Sequence, residues 1–320
     1  MSSLRLRASA AATRVLAPQL AYKPLNPHSH FDYDYEQFSL RVQQALRLGE
    51  PLLVGRLGTP ETTNCLVLQW EKQAHPLALC VTAPYRKGIR ESAKRNAGIF
   101  PNDKATLEKF SAIYLQSLLS IDILGSCIHQ ELFLNRAGYL PFIRTVFMED
   151  MVPFIGDNPW SAALVGKRVL VIHPFARSIE SQFSRRELLF PNSEVLPAFD
   201  LIAYPAVQSL GGNDKYDSWI DALDRMKQDI SEISFDVSII GCGAYGLPLG
   251  AFVKGLGKPA IHLGGVTQCL FGIKGRRWAE DYGWEEQYFN RYWVWPDRDE
   301  RPAGASAVEN GCYWAPDEDD

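Results

Sequence analysis

The stretch Val54-Gly-Arg56-Leu-Gly58-Thr-Pro-Glu61 sets a guanidinium, a backbone-exposing glycine and a carboxylate within six residues. Such a set can grip phosphate together with either a divalent metal or a sugar hydroxyl. An acid in a first helical turn is also stabilising by itself, which is the plainer reading of Glu61. A second candidate is Gly241-Cys-Gly243-Ala-Tyr245-Gly246, a G-x-G-x-x-G that follows one apolar run and opens a helical pattern. There the glycines allow a tight turn and close approach of the backbone, and the helix N-terminus offers N–H groups to a diphosphate. The competing reading of the same glycines is close packing of a helix on a sheet. A dinucleotide fingerprint also needs an acid about 20 residues on, at the end of the next strand. The sequence there is PAIHLGG, with His262 and no acid, so phosphate binding is expected while NAD binding is disfavoured.

Next along the chain, residues 262–278 combine the pair Gly264 and Gly265 with Thr267 and Gln268, the aromatics Phe271 and Trp278, and the cations Lys274, Arg276 and Arg277. A loop of this kind can close over a nucleotide, stacking its base and neutralising its phosphates; a solvated basic turn is the alternative. His173-Pro-Phe-Ala-Arg177-Ser178 brings an imidazole, a guanidinium and a hydroxyl to another helix start. His173 is a candidate for contact with the reactants, and Arg177, with Gln208 on a further loop, is expected to border an acceptor. The stretch RKGIRESAKR (86–95) reads as a solvated face.

These residues need strands and helices to position them. PLLVGRLG (51–58) is a short apolar run of the buried-strand kind, and Thr59-Pro60-Glu61 offers a cap, a first-turn proline and a first-turn acid to a following helix. Before it, Phe38, Val42, Ala45 and Leu46 recur at helical spacing up to Gly49. A helix is expected from Asp103, whereas 126–165 shows no clear pattern. After Gly166 the alternation is regular: strands over 167–175, 199–207, 235–240 and 259–265, with helices over 178–190, 217–233 (capped by Asp217) and from Gly246. Alternation of this kind predicts βαβ crossovers, hence an α/β fold: a single Rossmann-like domain with a mostly parallel sheet flanked by helices. Ligands of such sheets sit beyond the carboxyl ends of the strands, which is where Arg56, His173, Gln208, Gly241 and Gly264 fall.

Composition sets the outer bounds. The chain has 320 residues, 46% hydrophobic and 22% charged, proportions that exclude disorder and disulfide mini-scaffolds. Lysine and arginine total 33 against 37 acids, a formal charge of −4, without the basic bias of a nucleic-acid binder. The six cysteines include no C-x-x-C pair and read as buried apolar groups in a reducing, cytoplasmic compartment. No run approaches the roughly 20 apolar residues of a membrane span. Residues 1–34, Arg- and Ala-rich with Asp32 as first acid, are expected to be a flexible tail, with an organellar transit peptide as the alternative. The domain is expected over 35–285, followed by a draping extension over 286–320.

Taken together the motifs resemble the GT-D-fold glycosyltransferases, bacterial enzymes with one Rossmann-like domain that move sugar from a nucleotide diphosphate donor. In that family the first strand ends in Arg-x-Gly-Asp-Gly-Glu, whose two acids form a D-x-E metal site. Arg56, Gly58 and Glu61 match that motif, SIIGCGAYGLPLGAFVKGLGKPAIHLGG (238–265) resembles the family's last βαβ unit, and SLGGNDKYDSWIDAL (209–223) is similar in character to the segment before it. The likeness runs through most of 50–275 in order and is specific only in these stretches. It implies a glycosyltransferase acting on a glycan or lipid-linked hydroxyl acceptor. Gly58, Gly241, Gly243, Tyr245, Gly246, Gly264, Gly265, Gln268, Lys274 and Arg276 would hold the donor, with Arg56, Glu61 and His173 at the chemistry. Thr59 stands where the family has its first acid. Either Mn²⁺ or Mg²⁺ is then held mainly by diphosphate plus Glu61, or transfer is metal-independent with Arg56, Lys274 and Arg276 as counter-charge. The base is the least marked part, Glu61 being the nearest and Glu149, Asp150 and Asp217 standing behind it. An NAD(P)-dependent oxidoreductase and a non-catalytic nucleotide-sugar-binding protein are the alternatives.

Overall fold

The computed structural model describes residues 3–20, 23–25, 30–210 and 215–316. Seven strands, β1 (Leu53–Arg56), β2 (Ile123–Ser126), β3 (Arg144–Phe147), β4 (Arg168–His173), β5 (Asp200–Pro205), β6 (Val237–Ile240) and β7 (Ala260–His262), form one sheet in the order β3-β2-β1-β7-β6-β4-β5. Every neighbouring pair is parallel. The inner strands are apolar on both faces because both are covered. In β4, for example, Val169 and Val171 enter one core and Leu170 and Ile172 the other.

The helices are α1 (Ser3–Leu16), α2 (Tyr35–Leu48), α3 (Thr59–Glu71), α4 (Pro76–Ala97), α5 (Lys104–Leu118), α6 (Gln130–Arg136), α7 (Ala176–Phe183), α8 (Trp219–Glu232), α9 (Gly246–Gly255), α10 (Thr267–Leu270) and α11 (Trp284–Gln287). Helices α3, α5, α8 and α9 contribute to the first core, and α2, α7, α10 and α11 to the second. Helix boundaries follow local chemistry. Asp34 closes a capping box with Gln37 on α2, and Gly49 ends that helix at φ 65°. Asp103 caps α5 through the Thr106 N–H. Two expected caps shift by one residue: Gly58, not Thr59, precedes α3, and Ser218, not Asp217, caps α8. The helix expected over 178–190 ends at Phe183 and resumes as a 3₁₀ turn at Arg186–Leu188.

The N-terminal end differs from expectation, whereas the C-terminal extension drapes over the sheet. In place of a loose tail, α1 packs on α4, and Ala17 and Leu20 are buried in the first core. At the other end Trp293, Ala305, Val308 and Trp314 are buried in the second core, so the segment after 285 closes one face of the sheet. Residues 1–2, 21–22 and 26–29 of the expected tail, 211–214 of the segment before α8 and the acidic run 317–320 lie outside the described residues. Among the described residues no helix is long and apolar enough to cross a membrane.

Candidate active site

Strands β1 and β7 are neighbours, Val54 opposite Ile261, yet the chain leaves them toward opposite faces. After β1 it enters α3, whose Cys65 and Val67 lie in the first core; after β7 it enters α10, whose Cys269 and Leu270 lie in the second. Divergence of this kind opens a crevice beyond the carboxyl ends of the two strands. A cavity of about 710 Å³ occupies it, lined by Arg56 to Glu61, His262, Gly264, Gly265 and Gly243 on the strand side. Its outer wall is built from Cys127, Phe147, Glu149, Arg277, Asp281, Tyr282, Glu309 and Tyr313. A second divergence separates β4 from β6, whose following helices α7 and α9 also enter different cores. The space there is only about 50 Å³, lined among others by His173, Gln208, Gly241 and Tyr245. Leu210, Gly243, Gly265 and Tyr313 border both spaces.

At the floor of the larger cavity lies Glu61, the third residue of α3. Its side chain folds back over Gly58, where any Cβ would collide with the carboxylate. A larger residue at 58 would therefore displace that carboxylate. Glu61 is 6% exposed, and its Oε2 has no hydrogen-bond partner among the described residues. Burial therefore pushes its pKa from 4.5 up to about 7, against the pull of its own N–H and of the Arg56 guanidinium. Tyr114 of α5 supports the turn by accepting the Gly58 N–H at its hydroxyl, 3.3 Å away.

Arg56 ends β1 and lies over Gly264, whose φ of 68° and lack of Cβ make room for the guanidinium; a Cβ there would be 3.0 Å from Arg56 Cδ. Among the described residues the Arg56 guanidinium has neither hydrogen bond nor ion pair. Beside it His262 is buried, with Nδ1 3.2 Å from the Ile240 carbonyl oxygen. Burial, with Arg56 nearby, drives its pKa down to about 4. The ring is neutral at physiological pH, and a proton on Nδ1 donated to Ile240 leaves Nε2 an acceptor. On the outer wall Glu149 is half-buried, with its pKa raised by burial and by Asp150.

The G-x-G-x-x-G glycines divide by role. A Cβ on Gly241 would lie 2.5 Å from Thr267 Oγ1 and 2.6 Å from the Gly264 carbonyl oxygen, and one on Gly246 would overlap the His262 ring. Both are packing glycines. Gly243, at φ 57°, has nothing within 4 Å of its missing Cβ and lines the cavity. Tyr245, expected to touch the donor, is 1% exposed and stacks on Trp219 with centroids 4.9 Å apart. It is a core residue.

Other expected site residues lie elsewhere. His173 is buried at the smaller space and neutral, its pKa driven down to about 3 by burial, with Nδ1 accepting the Phe175 N–H at 3.0 Å. Gln268 is fully buried and ties the loop through the carbonyl oxygens of Lys274 and Tyr313. The Lys274 ammonium lies over the Phe289 and Trp295 rings, Arg276 pairs with Glu280 on the surface, and Arg177 pairs with Asp299. None of them lines the larger cavity, nor do Asp150 and Asp217. The expected solvated face 86–95 is partly tied down, since Arg86 and Arg90 both pair with Glu71. Arg277 is the cation of the basic loop that does reach the cavity. Tyr114, Glu309 and Tyr313 were unmarked by any local motif.

A divalent metal does not fit this donor set. Thr59 replaces one acid of the D-x-E pair, and among the described residues no three His, Cys, Asp or Glu side chains converge to hold an ion. What the arrangement can do is accept a proton at Glu61 and stabilise negative charge at Arg56. No protein-family model, curated protein or solved structure matches the chain.

Proposed function

We propose that the chain is a glycosyltransferase that moves a sugar from a nucleotide diphosphate donor to a hydroxyl acceptor without a metal ion. The observation that carries the reading is Glu61: a buried carboxylate with an unpartnered oxygen and a pKa of about 7, beside the unpaired Arg56 in a cavity large enough for a substrate. Glu61 takes the proton of the acceptor hydroxyl as the oxygen of that hydroxyl bonds to the anomeric carbon. The bond from this carbon to the donor phosphate breaks, and the electron pair leaves with the diphosphate. A base poised near pH 7 suits the first event, and guanidinium charge stabilises the second. His262 Nε2 offers an acceptor to a sugar hydroxyl. Gly243, with open space at its Cα, lets the donor approach the backbone. A cytoplasmic location belongs to the same proposal and is supported by six cysteines that form no disulfide.

The test incubates the full chain with a panel of nucleotide sugars and hydroxyl acceptors, with EDTA or with Mn²⁺, and measures released nucleoside diphosphate. Turnover that persists in EDTA is expected. Calorimetry with uridine diphosphate and with NAD runs beside it. Tight NAD binding without uridine diphosphate binding would replace the proposal with an oxidoreductase. Nucleotide-sugar binding without turnover would replace it with a binding protein.

A further inference from the structure

Arg277, the cavity's second guanidinium, differs from Arg56 in being already held. It pairs with Glu309, donates to the Cys312 sulfur at 3.3 Å and lies over the Tyr313 ring, 5.3 Å from its centroid. Its backbone N–H donates to the Cys312 carbonyl oxygen at 3.1 Å. All of these partners sit on one tip, 309–313, between the buried anchors Val308 and Trp314. The tip has three successive left-handed residues: Glu309 at φ 45°, Asn310 at 59° and Gly311 at 72°. Asparagine and glycine adopt that conformation readily, whereas glutamate does not. The Glu309 side chain remains 38% exposed, so apolar burial does not explain the bend. What the bend achieves is the delivery of a carboxylate to Arg277.

Charge gives this contact a direction. The cavity lining holds two cations, Arg56 and Arg277, against four carboxyl groups, Glu61, Glu149, Asp281 and Glu309. An entering diphosphate would meet one available guanidinium. Without Glu309 it would meet two, and Arg277 would present its planar fork to a phosphate. We propose that Arg277 is a phosphate subsite filled in the unliganded protein by Glu309, and that a diphosphate ligand displaces the 309–313 tip to reach it. Tyr313 belongs to the tip, and its ring rests where a Cβ on Gly265 would stand, so displacing the tip also uncovers Gly265. The inference rests on reading the cavity as a diphosphate site.

Inorganic pyrophosphate, titrated by calorimetry into the full chain without divalent ions, tests it. Glu309→Gln keeps the side-chain shape and is expected to bind pyrophosphate about tenfold tighter than wild type, the scale of one charge-assisted contact regained. Arg277→Lys keeps the charge but loses the fork, and is expected to bind at least several-fold more weakly than wild type. In the double variant the gain from Glu309→Gln should shrink, since both changes act on one contact. Unchanged or weaker pyrophosphate binding by a folded Glu309→Gln protein, checked by near-UV circular dichroism, overturns the proposal. So does a full tenfold gain in the double variant. Uridine diphosphate and a short-chain prenyl diphosphate, titrated in the same way, tell which kind of diphosphate the subsite serves. Because no turnover is read, a pyrophosphate gain without sugar transfer would leave the subsite standing while the proposed activity fell.

Discussion

Glu61→Gln should gain stability relative to wild type as pH rises while losing turnover, with a pH signature that belongs to the buried carboxyl alone. The folded-state pKa of Glu61 is raised from 4.5 to about 7, so the folded chain keeps a proton that the unfolded chain has already lost. The stability this confers is complete below pH 4.5 and is lost as pH rises through about 7. Its size is about 3 kcal/mol, taking about 1.4 kcal/mol for each tenfold change in proton affinity. Glutamine does not titrate. The stability of Glu61→Gln relative to wild type should therefore climb by about 3 kcal/mol between pH 4.5 and pH 8.5. For a chain of this length that is a relative gain of about 5 °C in melting temperature.

Thermal unfolding of both proteins by circular dichroism, at half-unit steps from pH 4.5 to 8.5, reads this difference directly. Other buried groups also make stability depend on pH, among them His173 and His262, with folded pKa values lowered to about 3 and about 4. Their contribution is present above about 6.5 and lost as pH falls through those values. Both proteins share it, so it cancels in the difference, and any fixed cost of seating an amide appears as a constant offset. A difference flat across the range, or one that turns against the variant as pH rises, would refute the argument that Glu61 is held uncharged by burial. In turnover the variant should lose about 10²- to 10⁴-fold in kcat, the usual worth of a positioned base. Wild-type kcat/KM should rise with pH through about 7.

The glycines and a loop cation give sharper contrasts. Gly246→Ala forces a methyl group into the His262 ring and should cost about 1 to 3 kcal/mol in urea unfolding, as overpacking does. Gly243→Ala should cost about 1 to 2 kcal/mol for its left-handed backbone. It should also weaken uridine diphosphate binding measured by calorimetry, and wild-type affinity there would remove Gly243 from the site. Lys274→Met should leave pyrophosphate affinity within about twofold of wild type at 0.15 M salt, because a charge outside the cavity is screened; a larger loss would return that loop to the binding surface.

Much of the scaffold was legible because its signals are local. The strands near 53–56, 168–173, 200–205, 237–240 and 260–262 are apolar runs, and the caps at Asp34, Gly49 and Asp103 come from side chains or turns within a few residues. The strands at 123–126 and 144–147 were not legible. The second lies at the sheet edge, where Arg144 and Thr145 need no burial. Glycine spacing identified the loop after β6 but not which glycine faces the cavity, since that depends on Thr267 and His262 arriving from the next strand and helix.

The same limit governs the cations, and it explains why members of the basic loop that lie outside the cavity stood out. Strand-end reasoning selects a loop, whereas side-chain direction is set within it residue by residue. Here a π-helical turn begins at Arg277, so adjacent arginines point apart: Arg276 to surface Glu280, Arg277 into the cavity. Which of the two can meet an anion is then decided by a segment more than 30 residues downstream, where Glu309 and Tyr313 close on Arg277. A mildly acidic chain of net charge −4 needs no basic surface to hold a diphosphate if two guanidiniums converge on it. In this cavity one of the two carries a carboxylate of the protein itself, so anion affinity depends on whether Glu309 stays or leaves.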